Sequence, residues 1–381
     1  MKTEYMNYSM KPLKIRNLKI KIPVIQGGMG VGISLSGLAA AVANEGGVGT
    51  ISTAGIGLIE KGFKGKDILQ ENVEALRREI RKAKELTSGT LGVNVMVAMT
   101  NFADMVSTSI SEKIDIVFAG AGLPLNLPSF LKKDSVTKLV PIVSSGRAVK
   151  IICQKWKDQY DYLPDAVVVE GPEAGGHLGF RADQLDKQEN RLEVILKDVI
   201  EEVKKFEKAF KKKIPVIAAG GIYTGADVNK FMDMGASGVQ MGTRFVTTDE
   251  CDASDEFKQE YINARKEDIK IISSPVGLPG RAITSSFLQK VEKGERQPLK
   301  CPFHCIRTCE VESSPYCIVI ALIQAYKGNF NNGFAFAGSN AFRAKTIISV
   351  QKTFELIRDE YIIAIKKYDR VIKKKIVDKV N

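Results

Sequence analysis

Long apolar stretches are missing from this sequence of 381 residues. The longest, Tyr316 to Tyr326, spans 11 residues, whereas a helix that crosses a membrane needs about 20. Charges are scattered through the N-terminal segment, where a signal peptide would carry an apolar core. The sequence therefore predicts neither a transmembrane segment nor a secretion signal, and we expect a cytoplasmic protein.

Segments of one charge sign are also scarce, although the formal net charge is +12. Lysine and arginine are interleaved with glutamate and aspartate in residues 74–86 and 198–213, as on the solvated faces of helices. The tail from Lys366 to Lys379 is rich in lysine and poor in acids, and a solvated terminal helix explains it. We predict no nucleic-acid partner.

Histidine is scarce, with two residues, and there are six cysteines. In a chain without a leader these should stay reduced, so a disulfide framework is not expected. Four cysteines have the spacing C-x3-C-x3-C-x7-C, which matches neither zinc ribbons nor ferredoxin runs. Steps of four residues favour packing along one helical face, so we predict no metal, with zinc or iron–sulfur binding as the alternative. The residues are Cys301, Cys305, Cys309 and Cys317, with His304 between them.

Short apolar, β-branched runs alternate with helical patterns along the first two thirds of the chain. The runs are nearly continuously apolar, as in strands that are buried on both faces. Eight alternations predict an α/β fold, a (β/α)8 TIM barrel, rather than an open sheet. The predicted strands are Pro23–Gln26, Val48–Ser52, Thr90–Val95, Ile114–Phe118, Leu139–Ser144, Ala166–Glu170, Ile214–Ala219 and Gly238–Met241.

The alternation of strand and helix patterns ends after the eighth predicted strand. Turn clusters, the cysteines and a Gly/Asn-rich stretch follow. We expect a barrel core in residues 1–250, an added smaller subdomain in 251–340 and a terminal helix in 341–381 that packs back on the barrel. The helices predicted within the barrel are Ser34–Asn44, Lys66–Leu86, Asn101–Glu112, Ser145–Gln159, 190–212 and Gly225–Met234.

Two glycine turns follow the seventh and eighth predicted strands, at 218–222 and 240–244. Barrels frequently bind phosphate at this place, because adjacent glycines expose backbone N–H groups and a helix N-terminus can add its dipole. Tight turns that merely need glycine are the alternative. Two such turns at these strands favour phosphate binding.

Three further segments carry polar or glycine residues at strand ends. Gln26 to Gly30 leaves bare backbone against which a flat ring system could lie. Residues 170–177 place His177, which could transfer a proton, beside a glycine pair and two carboxylates. Glu170 could bind ribityl hydroxyls or orient His177, and Asn94 suits the polar edge of a flavin. Turn capping is the alternative for Asn94, and Ser144 and Ser145 are equally ambiguous.

Taken in order, five segments resemble the nitronate monooxygenase family, formerly called 2-nitropropane dioxygenases. The resemblance covers about residues 20 to 250, with weaker likeness to the end. The segments are QGGMG at 26–30, GVNV at 92–95, EGPEAGGHLGF at 170–180, IPVIAAGGI at 214–222 and VQMGTRF at 239–245.

The resemblance implies an FMN-dependent oxidoreductase on a TIM barrel, with His177 as the catalytic residue over the flavin. In this family a nitronate reduces FMN and O2 reoxidises it, which yields a carbonyl compound and nitrite without a nicotinamide. The FMN phosphate would be bound by Gly220, Gly221, Gly242 and Thr243, and the rest of the flavin by Gln26, Gly28, Met29, Asn94, Glu170, Gly175 and Gly176.

The same signature is shared by type II enoyl-acyl-carrier-protein reductases and NADH:quinone reductases, in which NAD(P)H is a co-substrate. An acidic acyl-carrier protein would suit a basic chain. A barrel that binds phosphate without redox chemistry is a third hypothesis, and the Gln26–Gly30 and Asn94 positions do not support it. The insertion at 181–213 and the cysteine segment leave the substrate open, and the sequence does not predict an oligomeric state.

Overall fold

The structure, a computed structural model, describes residues 9–60, 63, 65–295, 301 and 303–380. Its strands and helices are numbered in chain order. The strands are β1 Leu13–Ile15, β2 Leu18–Ile20, β3 Val24–Gln26, β4 Val48–Ser52, β5 Thr90–Met96, β6 Ile116–Gly120, β7 Lys138–Val143, β8 Val167–Glu170, β9 Gly176–His177, β10 Val216–Ala219, β11 Gly238–Met241, β12 Ile269–Ser273 and β13 Pro279–Ile283.

Eight of these strands pair in parallel and close into a barrel in the order β3-β4-β5-β6-β7-β8-β10-β11. The circle closes where Val24 of β3 lies beside Val239 of β11. Each predicted strand overlaps one barrel strand, and no end differs by more than two residues. The predicted (β/α)8 barrel is therefore confirmed.

Helices surround the barrel and bury their apolar faces against it. Trp156, for example, is fully buried on α4, and its indole N–H donates to the carbonyl of Pro124 at 2.9 Å. The helices are α1 Ser36–Asn44, α2 Ile68–Leu86, α3 Phe102–Ser111, α4 Gly146–Tyr160, α5 Leu192–Phe210, α6 Gly225–Asp233, α7 Thr243–Val246, α8 Asp255–Asn263, α9 Ser286–Glu292, α10 Ile318–Tyr326 and α11 Val350–Val380.

An N-terminal hairpin of β1 and β2, which the sequence analysis did not predict, precedes the barrel. Ile15 of this hairpin is fully buried and packs with Phe118 and Val168 of the barrel interior. Nε of Arg16, in the hairpin turn, lies 2.6 Å from Oδ1 of Asp165. Since Asp165 precedes β8, the hairpin closes the N-terminal end of the barrel and leaves the other end for the site.

The segment after β11 forms a layer over the C-terminal ends of the barrel strands. β12 and β13 form an antiparallel hairpin, and β13 also pairs with β9, so that Gly280 lies opposite His177. An aromatic cluster supports this layer, with the rings of Phe287 and Tyr316 at 5.0 Å between centroids. The added segment is thus joined to the barrel by backbone pairing beside His177.

Two predictions in the added part were wrong in detail. Cys301, Cys305 and Cys309 do not lie along one face of a helix, because the described residues 301 and 303–317 form turns and extended chain. The terminal helix α11 begins at Val350 rather than at about Ala341, where a single 3-10 turn is found. Within the described residues, no helix combines the length and apolar character that crossing a membrane requires.

The close approach of α6 and α11 at Gly225 gives the first prediction. A Cβ at Gly225 would lie 2.0 Å from the carbonyl oxygen of Ile357 and 2.4 Å from the backbone nitrogen of Tyr361. We expect Gly225→Ala to destabilise the protein by about 1–3 kcal/mol, because neither backbone can yield easily. Thermal unfolding measures this as a lower Tm.

The exposed neighbour Ala226 supplies the control. Ala226→Ser should change the Tm little, since it adds only a hydroxyl group on the solvent side of the same helix. Equal Tm values for the two variants would contradict the packing described for α6 and α11.

Candidate active site

A cavity of about 270 Å3 opens at the C-terminal ends of the barrel strands. Its walls come from the loops after β3, β8, β10 and β11, and its outer side comes from the added segment. Of the predicted site residues, those that line it are Gly28, Met29, Asn94, Glu170, Gly175, Gly176, His177, Gly220, Gly221, Gly242 and Thr243. The fold thus brings together nearly every residue that the sequence singled out.

The two glycine turns after β10 and β11 lie side by side, because these strands are neighbours in the barrel. Gly220 and Gly221 have φ values of 95° and 77°, in the left-handed region that favours glycine. In the described part of the chain, the backbone N–H groups of Gly220, Gly221, Gly242 and Thr243 have no protein acceptor. Free amides on adjacent turns are what an anionic group needs for binding.

A strip of the added segment, residues 337–340, lies across these two turns. The N–H of Gly338 donates to Oγ1 of Thr243 at 3.1 Å, and Nδ2 of Asn340 donates to the carbonyl of Gly221 at 2.7 Å. The N–H of Ser339 donates to the carbonyl of Glu173 at 3.1 Å. We call residues 337–340 the strap; it bounds the cavity at the end where the free amides lie.

The opposite wall consists of the turn after β3 packed against β5. A Cβ at Gly28 would lie 2.3 Å from Cβ of Asn94, so glycine is required for this contact. The side-chain amide of Asn94 has no partner among the described residues and is free to bind a ligand. A flat, partly polar ring would find bare backbone and one amide on this wall.

Gln26 is the exception among the predicted cofactor ligands. Its side chain is fully buried and does not line the cavity. Oε1 accepts from the N–H of Thr50 at 2.9 Å, and Nε2 donates to the carbonyl of Gly27 at 2.5 Å. Gln26 therefore joins β3 to β4 and supports the turn after β3.

His177 lies on β9 and is held from three sides. Its Nε2 is 2.8 Å from Oγ of Ser274, its ring meets the ring of Phe336 edge-on at 4.9 Å, and its backbone pairs with Gly280. Nδ1 has no partner among the described residues. Burial lowers the pKa of the imidazole to about 4, so the ring is uncharged at neutral pH.

Glu170, at the end of β8, is the second titratable group of the cavity. Burial raises the pKa of its carboxyl group to about 7, because no cation or donor compensates the lost hydration. Both the protonated and the ionised form of this carboxyl group are therefore accessible near neutral pH. It can donate or accept a hydrogen bond at the cavity wall.

Several residues of the site were missed by sequence reasoning. Ser274 and Phe336 contact His177 from the added segment, and Phe257 and Tyr261 of α8 also line the cavity. They occur in stretches that predict turns or an ordinary amphipathic helix. The pairing of β13 with β9 accounts for the position of the segment around Ser274, and α8 packs separately with Ile33 and Val246. Conversely, Ser145 caps α4 and does not line the cavity.

Together these features fit a bound flavin. The free amides suit a phosphate, the Gly28–Asn94 wall suits a ring, and His177 lies at the same cavity. A TIM barrel with such a site defines a class of flavin-dependent oxidoreductases. The sequence matches the family described as nitronate monooxygenase over residues 11–359, most of the chain, and the protein belongs to this family.

Relatives of this chain are named for different activities. A "probable nitronate monooxygenase" of Staphylococcus aureus is 28% identical over 73% of this chain and 79% of its own length. The (3aS,4S,5R,7aS)-5-hydroxy-7a-methyl-1-oxo-octahydro-1H-indene-4-carboxyl-CoA dehydrogenase of Mycobacterium tuberculosis is 29% identical over 73% of this chain and 67% of its own length. Among solved structures, FabK of Thermotoga maritima superposes with a TM-score of 0.70 at 27% identity, over 92% of this chain and 96% of FabK.

The strained turn at Gly221 gives the second prediction. Gly221→Ala places a Cβ in the left-handed region, 2.4 Å from Oε2 of Glu173. We expect the flavin affinity to fall about tenfold or more, because the turn must shift away from the phosphate site. Flavin-to-protein ratios and fluorescence titration measure the effect.

Gly294→Ala is the matched control for this variant. Gly294 also has a left-handed φ, 86°, but a Cβ there meets nothing within 4 Å. Gly294→Ala therefore introduces comparable backbone strain at a position that does not line the cavity. Equal flavin affinities of the two variants would disprove the role of the turn after β10.

The low pKa of His177 gives the third prediction. In the flavin-free protein, the ring-carbon NMR signals of His177 should stay constant down to about pH 5 and move only near pH 4. The chain has one other histidine, so the signal that His177→Gln removes identifies this residue. A midpoint near pH 6.5 would show that the ring is solvated.

Proposed function

We propose that this enzyme oxidises alkyl nitronates with O2 to carbonyl compounds and nitrite, with FMN as its flavin. The observation that carries the proposal is the position of His177, which lines the same cavity as Gly28 and Asn94 and leaves its Nδ1 without a partner among the described residues. Bound FMN would supply the acceptor for the substrate's electrons, which O2 then takes up. The residues of the chain bind and orient the substrate.

The strap supports FMN over a longer flavin nucleotide. Residues 337–340 bond to the turns after β10 and β11 at the end of the cavity where the free amides lie. A phosphate bound by Gly221 and Thr243 would therefore face protein on its far side. A second nucleotide beyond that phosphate would collide with the strap.

His177 would act as a hydrogen-bond donor to the substrate. The N–H of Val276 donates to Oγ of Ser274 at 3.4 Å, and in the tautomer that we propose the hydroxyl of Ser274 donates to Nε2 of His177. The single proton of the neutral ring then resides on Nδ1, the nitrogen without a protein partner. An N–H group there can bind an oxygen of a nitronate.

The charged side chains that line the cavity limit how an anionic substrate could be bound. Glu170 and Glu173 line it, and no lysine or arginine does so among the described residues. A small anion would therefore be held by neutral donors such as His177 and the amide of Asn94, not by an ion pair. Above about pH 7 the ionised Glu170 would repel such an anion.

Reduction by NAD(P)H of an enoyl thioester or a quinone is the second candidate. The similarity to FabK, an enoyl-acyl-carrier-protein reductase, favours it. An acyl-carrier protein would then be the partner, and the net charge of +12 would assist its approach. In this case the nicotinamide, not a nitronate, would deliver the electrons.

An anaerobic experiment separates the two candidates and is the fourth prediction. The purified, flavin-loaded protein is mixed with propyl-2-nitronate, NADH or NADPH, and the flavin absorbance is followed. We expect the nitronate alone to bleach the flavin, and O2 to restore the colour with release of nitrite. Bleaching by a nicotinamide but not by the nitronate would establish the reductase instead.

The role of His177 is tested in the same assay. His177→Asn should slow bleaching about a hundredfold, within the range for a positioned donor, while the flavin content stays unchanged. His304→Asn, which changes the other, exposed histidine, should leave the rate unchanged. If both variants react like the unmodified enzyme, His177 does not contact the substrate.

A further inference from the structure

Arg281, on β13, lies behind the glycine-rich loop that leads to His177. Its Nη1 donates to the carbonyl of Pro172 at 2.5 Å and to the carbonyl of Ala174 at 2.7 Å. The side chain is partly buried and does not line the cavity. Because one charged nitrogen binds both carbonyls, Arg281 fixes the orientation of two peptide groups of this loop.

The orientation of these two peptide groups determines where their N–H groups point. In a planar trans peptide, the C=O and N–H bonds point in opposite directions. The carbonyls of Pro172 and Ala174 face Arg281. The N–H groups of the same two peptides, those of Glu173 and Gly175, therefore face away from it. Neither N–H has a protein acceptor among the described residues, and both residues line the cavity.

The same loop packs directly against the glycine turn after β10. A Cβ at Gly220 would lie 2.8 Å from the carbonyl oxygen of Gly171 and 3.2 Å from the backbone nitrogen of Ala174. A Cβ at Gly221 would lie 2.9 Å from Cβ of Glu173. The free N–H groups of the loop thus belong to the same end of the cavity as those of the turn. Neighbouring backbone N–H groups of this kind form concave anion sites.

The backbone of Arg281 also joins the loop to the strap. Arg281 lies opposite Gly176 where β13 pairs with β9. Its carbonyl accepts from the N–H of Ala337, the first residue of the strap, at 3.0 Å. A Cβ at Gly175 would lie 2.6 Å from the carbonyl carbon of Ala337. The loop is therefore held between Arg281, the strap and the turn after β10.

The charge of Arg281 offsets a carboxylate at this end of the cavity. Glu173 lines the cavity, and its Oε2 accepts from the hydroxyl of Ser339 in the strap at 3.0 Å. Burial lowers the pKa of the Arg281 guanidinium, and the carboxylates of Glu173 and Asp186 oppose this effect. An arginine side chain stays cationic at neutral pH. A phosphate beside Glu173 would be repelled if no cation were near.

We propose that Arg281 is a positioning residue of the flavin-phosphate site. It turns the N–H groups of Glu173 and Gly175 toward the phosphate and offsets the charge of Glu173. The loop before His177 thus joins the two glycine turns in binding the dianion, while Arg281 acts from behind the loop without contacting the flavin. This inference rests on FMN as the proposed flavin, but not on the proposed substrate.

The fifth prediction compares FMN with riboflavin, which lacks the phosphate. Each flavin is titrated into the flavin-free full chain, and the change in flavin fluorescence gives its Kd. We expect the unmodified protein to bind FMN more tightly than riboflavin. Arg281→Met keeps an apolar stem of similar length. It should weaken FMN binding about tenfold or more, within the range for lost hydrogen bonds to a charged group, and leave riboflavin binding nearly unchanged.

Arg265→Met is the matched control, because it removes an exposed, ion-paired arginine of the added segment that does not line the cavity. Both flavin affinities should stay unchanged in this variant. If Arg281 only stabilised the fold, Arg281→Met would weaken both flavins alike. That result, or an unchanged FMN affinity in Arg281→Met, would overturn the inference. An unmodified protein without a preference for FMN would refute the phosphate site itself and the inference with it.

A second measurement needs no variant and holds even if Arg281→Met does not fold. The backbone amide NMR signals of Glu173 and Gly175 are recorded in the unmodified, flavin-free protein, and FMN or riboflavin is added. Both signals should move further with FMN, because the phosphate accepts from these N–H groups. Equal responses to the two flavins would contradict the role of the loop. Neither measurement uses a nitronate, so failure of the nitronate reaction would leave the inference standing.

Discussion

The pairing of β9 with β13 is the constraint on which the active site depends. His177 follows a glycine-rich loop that has no regular structure of its own, and a strand about a hundred positions later fixes its backbone. That pairing also brings Ser274 within 2.8 Å of the imidazole. Without the added segment, the ring would be solvated, and its pKa would return toward the value of an exposed histidine.

The barrel and the added segment therefore contribute different parts of the site. The barrel supplies the features that any phosphate-bearing flavin needs, namely free amides after β10 and β11 and a flat wall formed by Gly28 and Asn94. The added segment supplies Ser274, Phe336 and α8, which face the remaining space. The barrel motifs alone therefore do not define the substrate, because part of the cavity wall comes from the added segment.

The sequence predicted the barrel and most of the cofactor wall because both depend on local patterns. Buried parallel strands are continuously apolar, and glycines at strand ends mark turns, so each signal lies within a few neighbouring residues. The position of the Gln26 side chain could not be predicted from such local patterns, because its amide oxygen accepts a hydrogen bond from Thr50 on the next barrel strand. Ser274 was missed for a related reason: a serine in a turn gives no sign that pairing far along the chain will place it beside a histidine.

The strap has a consequence for how long a cofactor stays bound. Its bonds to Thr243, Glu173 and Gly221 close the cavity at the end where the free amides lie. A molecule that leaves through this end must wait until these contacts have opened, so its residence time on that route follows the free energy of the local opening as well as its own affinity. Loading during folding, before the strap has settled, would then be faster than exchange in the finished protein.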